Sequence, residues 1–347
     1  MKRISIKTSA IFSNRPLWYV LFGCVLASIP FTTNISNSNV TLLGNVVYFA
    51  VASLGFQVLL GYSGQISLGH TAFIGVGAYL SGYFVQVLHL PYPLAFLASA
   101  IVPLLLGLIL GLIALRLEGY YLAIATLGLA ESIRIVFIEA VDFTKGFSGF
   151  SARYPVVLGY QFSKETTFIL MVGVLVALMI LVYNFINAAT GRALAAMRSS
   201  EAAAQAMGIS LFKYKLTAFA ISTCFAGMAG SLYMHFFRYS DPTIWNSGVS
   251  LNLVVACIVG GIASIEGAVL GAAFVAAMPE LLKMIPFFQR TNGAAFVLSG
   301  VVIILVLLFY PAGLANIVRD TRRIVAKFIT LRGKSEQRGA RQRHGAS

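Results

Sequence analysis

Ten apolar segments, most of them close to the length of a bilayer crossing, constrain this chain more than any other feature. They lie near 17–32, 40–60, 66–88, 93–115, 119–141, 165–187, 214–237, 249–263, 267–287 and 293–312. A spanning helix needs about 20 largely apolar residues, and its backbone satisfies its own hydrogen bonds where no water can. Of the 347 residues, 59% are hydrophobic and 10% charged, whereas a soluble domain carries about a quarter charged residues. The sequence therefore predicts an all-α polytopic membrane protein of about ten transmembrane or re-entrant helices. The pair 249–263 and 267–287 is the least secure, because Gly260-Gly261 and Glu266 interrupt it.

The formal net charge of +14 is distributed unlike that of a nucleic-acid binder. Basic residues gather in the first 16 residues, in the loop near 192–215 and in the tail from Arg319 onward. Loops held on the cytoplasmic side carry such an excess. The expected organisation is a basic cytoplasmic N-terminus (1–16), a transmembrane domain (17–315) and a basic cytoplasmic tail (316–347). No small-x-small cleavage site closes the first apolar stretch, so it is read as the first spanning helix rather than a signal peptide. Cys24, Cys224 and Cys257 sit in apolar runs and read as buried, inert thiols. Trp18, Trp245, Tyr120, Tyr121 and Tyr239 are expected at the membrane interfaces.

Residues 188–216 form the longest predicted cytoplasmic connection, and they are alanine-rich, which favours helix. Ser199 or Ser200 is positioned to cap a short helix from about Glu201 to Met207, with Gly208 as its stop. Met197, Met207, Ile209 and Leu211, taken as exposed, suit a knob that docks on a partner; a solvated connector is the plainer alternative.

Within the membrane, Gly61–Gly69 is a glycine-punctuated break carrying Ser63, Gln65 and Ser67. It reads either as pathway lining at a broken helix or as a hairpin turn on the cytoplasmic side. His70 follows, as a structural hydrogen-bonder or a proton carrier. Glu131 and Arg134 stand three residues apart and form either a neutralised pair or a polar patch on the solute path. Asn252 is a further path candidate. Gly107/Gly111, Ala226/Gly230 and Gly267/Gly271 are small-residue stripes for close helix packing. The chain has no Gly-x4-Gly-Lys-Ser/Thr loop, so it is expected to bind no cofactor directly and to take ATP-derived work from other subunits. No metal-ligand spacing and no Ser-His-Asp set is apparent.

Several of these stretches resemble one family. Glu201-Ala202-Ala203 followed by Gly208 is similar to the coupling loop of permease subunits in ATP-binding-cassette importers, with four residues before the glycine instead of three. Gly191-Arg192-Ala193-Leu194, Arg198 and Tyr214-Lys215-Leu216 resemble, more narrowly, the branched-chain amino acid permeases of the LivM type. So do Gly61–His70, Tyr121–Gly128, Gly260–Ser264 and Tyr310–Leu314. The resemblance covers roughly residues 40–315 and extends to related urea permeases.

It implies a short cytoplasmic coupling helix with Arg192, Arg198, Glu201, Ala202, Ala203 and Gly208 at the ATPase contact. It further implies a second homologous permease, two ATP-binding subunits that use ATP, and a periplasmic solute-binding protein. The setting would be membrane lipid in a bacterial inner membrane, with both termini cytoplasmic and no nucleic acid. Branched-chain or other amino acids are the implied solutes, with urea or another small polar solute as the alternative. An ion-coupled secondary transporter is the rival class. One departure stands out: the family's Thr-Gly-Gly-x-x-Gly turn reads Thr144-Lys145-Gly146-Phe147-Ser148-Gly149 here, which places Lys145 and Phe147 in an external loop.

Overall fold

A computed structural model describes residues 15–31, 36–114, 117, 119–157, 159–283, 293–310 and 313–316. The segments expected to form the N-terminal extension before Arg15 and the tail beyond Asn316 lie outside these residues, as does Arg116.

Each of the ten apolar segments contains a helix. These are α1 (Arg15–Ser28), α2 (Asn37–Phe56), α3 (His70–Gln86), α4 (Tyr92–Ala114) and α5 (Tyr120–Glu139). After a one-turn α6 (Val141–Thr144) come α7 (Lys164–Asn187), α8 (Ala189–Ser199), α9 (Glu201–Ala206) and α10 (Leu211–Phe237). The chain then forms α11 (Ser247–Gly260), α12 (Ile265–Lys283) and α13 (Ala294–Phe309). Six of them, α2, α4, α5, α7, α10 and α12, are long and apolar enough to cross a membrane; α1, α11 and α13 are shorter apolar helices. The strands are two-residue pairings: β1 (Phe150–Ser151) with β4 (Tyr239–Ser240), and β2 (Val156–Val157) with β3 (Tyr160–Gln161). This is the architecture of an all-α, multi-pass membrane protein.

The centre is α2 and α10, whose apolar windows are 78% and 67% buried against 28% for α4 and α5. Small residues let them sit there. A methyl group added at Gly230 would fall on the Ile74 carbonyl, and one at Gly271 on the Ala256 carbonyl, so these positions pack backbone on backbone. The stripes containing Gly107, Gly230 and Gly267/Gly271 thus pack helices within the subunit.

The helix ends gather at two poles. One, the hairpin end, holds Arg15, the 61–69 segment, α8–α9 and the 260–264 break. The other, the strand end, holds the α3–α4 connection, residues 140–163 and the start of the α10–α11 connection.

Three sequence expectations change. Trp245 is not interfacial: it is 1% exposed, packs near Gly75 of α3 and donates its Nε1 hydrogen to Ser240 Oγ at 2.8 Å. Cys24 is exposed on the outer face of α1, and only Cys257 is fully buried. Met197 is 1% exposed, because residues 189–199 form a helix whose inner face, Ala193, Leu194 and Met197, packs on the bundle. Of the four apolar knob residues, only Met207 is fully displayed, at 83% exposure.

Candidate functional site at the hairpin end

α9 is built locally, as its sequence specifies. Ser200 accepts a hydrogen bond from the Ala203 N–H at 3.2 Å, which satisfies one of the orphan donors at a helix start. Glu201 occupies the first turn, where its charge suits the helix dipole. Gly208 stops the helix at φ +80° with nothing near its missing Cβ, a left-handed geometry glycine adopts without cost. Arg192 and Ala202–Ala203 are exposed along this hairpin.

The inner side of the hairpin is tied to the glycine segment. Arg198 donates to the Gly61 carbonyl at 2.6 Å. Lys215 pairs with Glu201 at 2.8 Å, and the Lys215 carbonyl accepts the Gln65 amide at 3.2 Å. Three of the residues expected at an outside contact therefore also hold internal bonds: Arg198, Glu201 and Arg192, which donates to the Asn187 carbonyl at 2.8 Å.

The glycine segment itself is non-helical chain from Gly64 to Gly69, buried at Gln65 and Ser67 and exposed at Gly64 and Ile66. α2 runs through a π-helical turn to Tyr62, and α3 restarts only at His70, which shares a 2.6 Å hydrogen bond with Ser222. Ser222 is eleven residues into α10, about 16 Å from that helix's start. Backbone of this kind survives at depth only where protein or a wet cavity covers it. Here Thr126 Oγ1 of α5 accepts the Leu68 N–H at 3.0 Å, and Ser250 Oγ of α11 accepts the Thr71 N–H at 2.9 Å. Ser63 and Gln65 bond each other, and Ser67 reaches His70 Nδ1 at 3.2 Å. His70 is thus enclosed by hydroxyls and by the rings of Phe56, Phe73 and Phe219.

A second break meets the first. Gln57 donates to the carbonyls of Gly261 (2.8 Å) and Ser264 (3.3 Å), and Tyr62 donates to Ala263 at 2.9 Å. A Cβ at Gly313 would strike Gly261, so three of the glycine-bearing stretches converge. The Oε1 atoms of Gln57 and Gln65 are buried with no donor among the described residues. A buried acceptor of this sort needs water or solute.

The remaining path candidates sit elsewhere. Glu131 and Arg134 pair at 2.7 Å, but their side chains are 40% and 30% exposed. Asn252 is exposed on α11. The predicted path residues therefore divide into a buried network (Ser63, Gln65, Ser67, His70) and an open face (Glu131, Arg134, Asn252). At the strand end, Lys145 has φ +65°, and its neighbour Phe147 is 65% exposed. The position calls for a left-handed backbone, the conformation glycine takes most readily.

Sequence reasoning missed Gln57, Tyr62, Ser222 and Ser250. The signal available for Gln57 was a lone amide within an apolar helix, a pattern that marks an internal partner.

Comparison with known proteins gives the chain's relatives. Residues 38–307 match the family model described as the branched-chain amino acid transport system / permease component. The high-affinity branched-chain amino acid transport system permease protein LivM of Salmonella typhimurium is 29% identical over 333 residues, which cover 88% of this chain and 76% of that protein. The protein of the same description from Escherichia coli (strain K12) is 28% identical with the same coverage. The autoinducer 2 import system permease protein LsrC of Escherichia coli (strain K12 / DH10B) is 24% identical over 287 residues, 79% of each chain. No solved structure matches.

Proposed function

Because the chain belongs to the branched-chain amino acid transport permease family, of the LivM type found in ATP-binding-cassette importers, we propose that its cargo is branched-chain or other amino acids. On this reading two ATP-binding subunits dock on the α8–α9 hairpin. A solute-binding protein meets the strand end, and a second homologous permease covers the open face. The chain sits in a bacterial inner membrane through about ten transmembrane or re-entrant helices, with both termini in the cytoplasm.

The observation that carries the reading is the two-sidedness of the hairpin. Outward it offers Met207 and the exposed first turn of α9. Inward it grips the glycine segment through Arg198 and through the chain Glu201–Lys215–Gln65. Closure of the ATP-binding subunits would push α9, and the push would reach Gly61 and Gln65 directly. Gln57 and Tyr62 would pass it to the 260–264 break, which tilts α11 and α12. ATP itself stays on the partners; this chain supplies lever and wall.

The open face supports a paired permease. Glu131 and Arg134 are polar groups displayed on the spanning helix α5, and Asn252 is displayed on the shorter apolar helix α11; such groups are costly against lipid. A second permease subunit across them, with the solute path between, removes that cost. Glu131 is already engaged in an ion pair with Arg134 at 2.7 Å, which weighs against ion-coupled transport.

Affinity purification of the solubilised chain tests this. Two ATP-binding subunits and a second permease should co-purify, and proteoliposomes of the complex should take up labelled leucine only with ATP and a binding protein. Uptake by the isolated chain along an ion gradient would overturn the reading.

A further inference from the structure

Two cavities meet at the junction of α1 with α12. The first, of about 400 Å³, is apolar and lies in a groove walled by Trp18, Phe22 and Val25 of α1, Met179 of α7, and Val269 and Leu270 of α12. The second, of about 270 Å³, is polar and sits at the hairpin end, lined by Arg15, Tyr62, Asn187, Ser264 and Glu266. Glu266 forms part of both walls. In sequence Glu266 interrupts two apolar segments, and the coupling path does not use it.

We propose that these joined cavities bind one phospholipid with an ethanolamine headgroup, its ammonium on Glu266, its phosphate beside Arg15, and one acyl chain in the groove along α1. The groove runs from Trp18 to Val25, two helical turns or about 10 Å, and its lining is predominantly apolar, with Tyr19 and Glu266 as its polar groups beside the indole of Trp18. An apolar groove alone would accept any lipid tail. The carboxylate at its mouth sets the choice.

Glu266 is held in place: Tyr19 donates to Oε1 at 3.2 Å, and its side chain is 17% exposed. Arg15 stands 4.0 Å from the same oxygen with its side chain 53% exposed. That separation is long for a charge-assisted hydrogen bond, which closes to about 2.7–2.9 Å. A phosphoethanolamine headgroup carries the complementary pair of charges two carbons apart, phosphate for the guanidinium and ammonium for the carboxylate. Its primary ammonium donates three hydrogen bonds, as a lysine does. A trimethylated choline has no N–H to give, and a glycerol headgroup has no cation. Because Ser264 and Tyr62 also line the polar cavity, a bound headgroup would rest on the 260–264 break.

Native mass spectrometry of the delipidated, detergent-solubilised chain tests the site, using phosphatidylethanolamine, phosphatidylglycerol and phosphatidylcholine of identical tails. The ethanolamine lipid should be retained about tenfold more tightly than either other lipid, the equivalent of one charge-assisted hydrogen bond. Glu266→Gln should bring it down to the choline level. Arg15→Gln, at an exposed position where folding is not at stake, should weaken the ethanolamine and glycerol lipids together. Equal retention of all three, preference for the glycerol lipid, or indifference to Glu266→Gln would each overturn the proposal; the last is also the outcome expected if residues 1–14 fill the cavity.

Discussion

The two ends of the bundle are held together by different means. At the strand end the closure is by backbone ladder and buried rings. β1 pairs with β4, His235 binds the Arg153 carbonyl at 2.9 Å and Ser81 at 3.0 Å, and Trp245 stacks edge-on against Tyr233 with centroids 5.0 Å apart. At the hairpin end the ties are single side chains reaching to carbonyls in glycine-rich breaks: Arg198 to Gly61, Gln57 to Gly261, Tyr62 to Ala263. Packed rings are either in register or not, and moving them opens a void. A side chain holding a carbonyl follows that carbonyl through a small displacement. On the proposed coupling, this contrast fits movement at the hairpin end and anchorage at the strand end.

Variants that act on one end and spare the other test that contrast. Trp245→Ala should have the largest effect on stability, on the order of 3–5 kcal/mol by the scale of large-to-small core changes. Thermal denaturation in detergent should show it, while the ratio of uptake to ATP hydrolysis in the surviving fraction stays as in the unaltered protein. A changed ratio would mean that the strand end also transmits.

Gly208→Trp should reverse this pattern. A left-handed residue with a Cβ costs about 1–2 kcal/mol, yet the space around Gly208 is empty within this chain, so insertion and folding should persist. Uptake should fall more than the strain alone implies, because the new side chain occupies the docking surface. Reconstituted complexes should then hydrolyse ATP without transport.

Arg198→Ala removes one charge-assisted bond, about 1.5 kcal/mol, and the same scale makes that roughly a tenfold loss of coupled uptake. ATP hydrolysis should continue, and Arg198→Lys should restore part of the uptake. Lys145→Gly should change least. It relieves a left-handed lysine but frees the unfolded chain, for a net effect under about 1 kcal/mol. If the 144–149 turn receives solute or the binding protein, as we propose, the uptake profile or the docking affinity will shift while stability does not. Uptake and docking both left as they were would reduce the loop to a connector.

What was legible in the sequence follows from what is local. Hydropathy located all ten helical segments, and Ser200 with Gly208 marked both ends of α9, because caps and stops act within one turn. The alanine-rich composition of 188–216 favours helix but does not separate α8 from α9, although Gly191, Leu194 and Met197 recur every three residues as an inner face should; the alanines between them dilute the pattern. Trp245 was misplaced because an aromatic near a helix end has the same composition whether it meets headgroups or a buried Ser240. The meeting of Gln57 with Gly261 spans 204 positions, and no periodicity reports a contact of that range. For the same reason the sequence could flag Ser63, Gln65 and Ser67 as polar but could not separate them from the open face of Glu131, Arg134 and Asn252.

The central claim is that the α8–α9 hairpin and the 61–69 segment move as one body. Spin labels at Met207 and Ile66, both exposed positions, allow that distance to be measured in the assembled, reconstituted importer with and without ATP. The account predicts that the separation stays within about 2 Å across nucleotide states while each label moves relative to the strand end. A change of about 5 Å between the two labels, the slide of one helical turn, would contradict it.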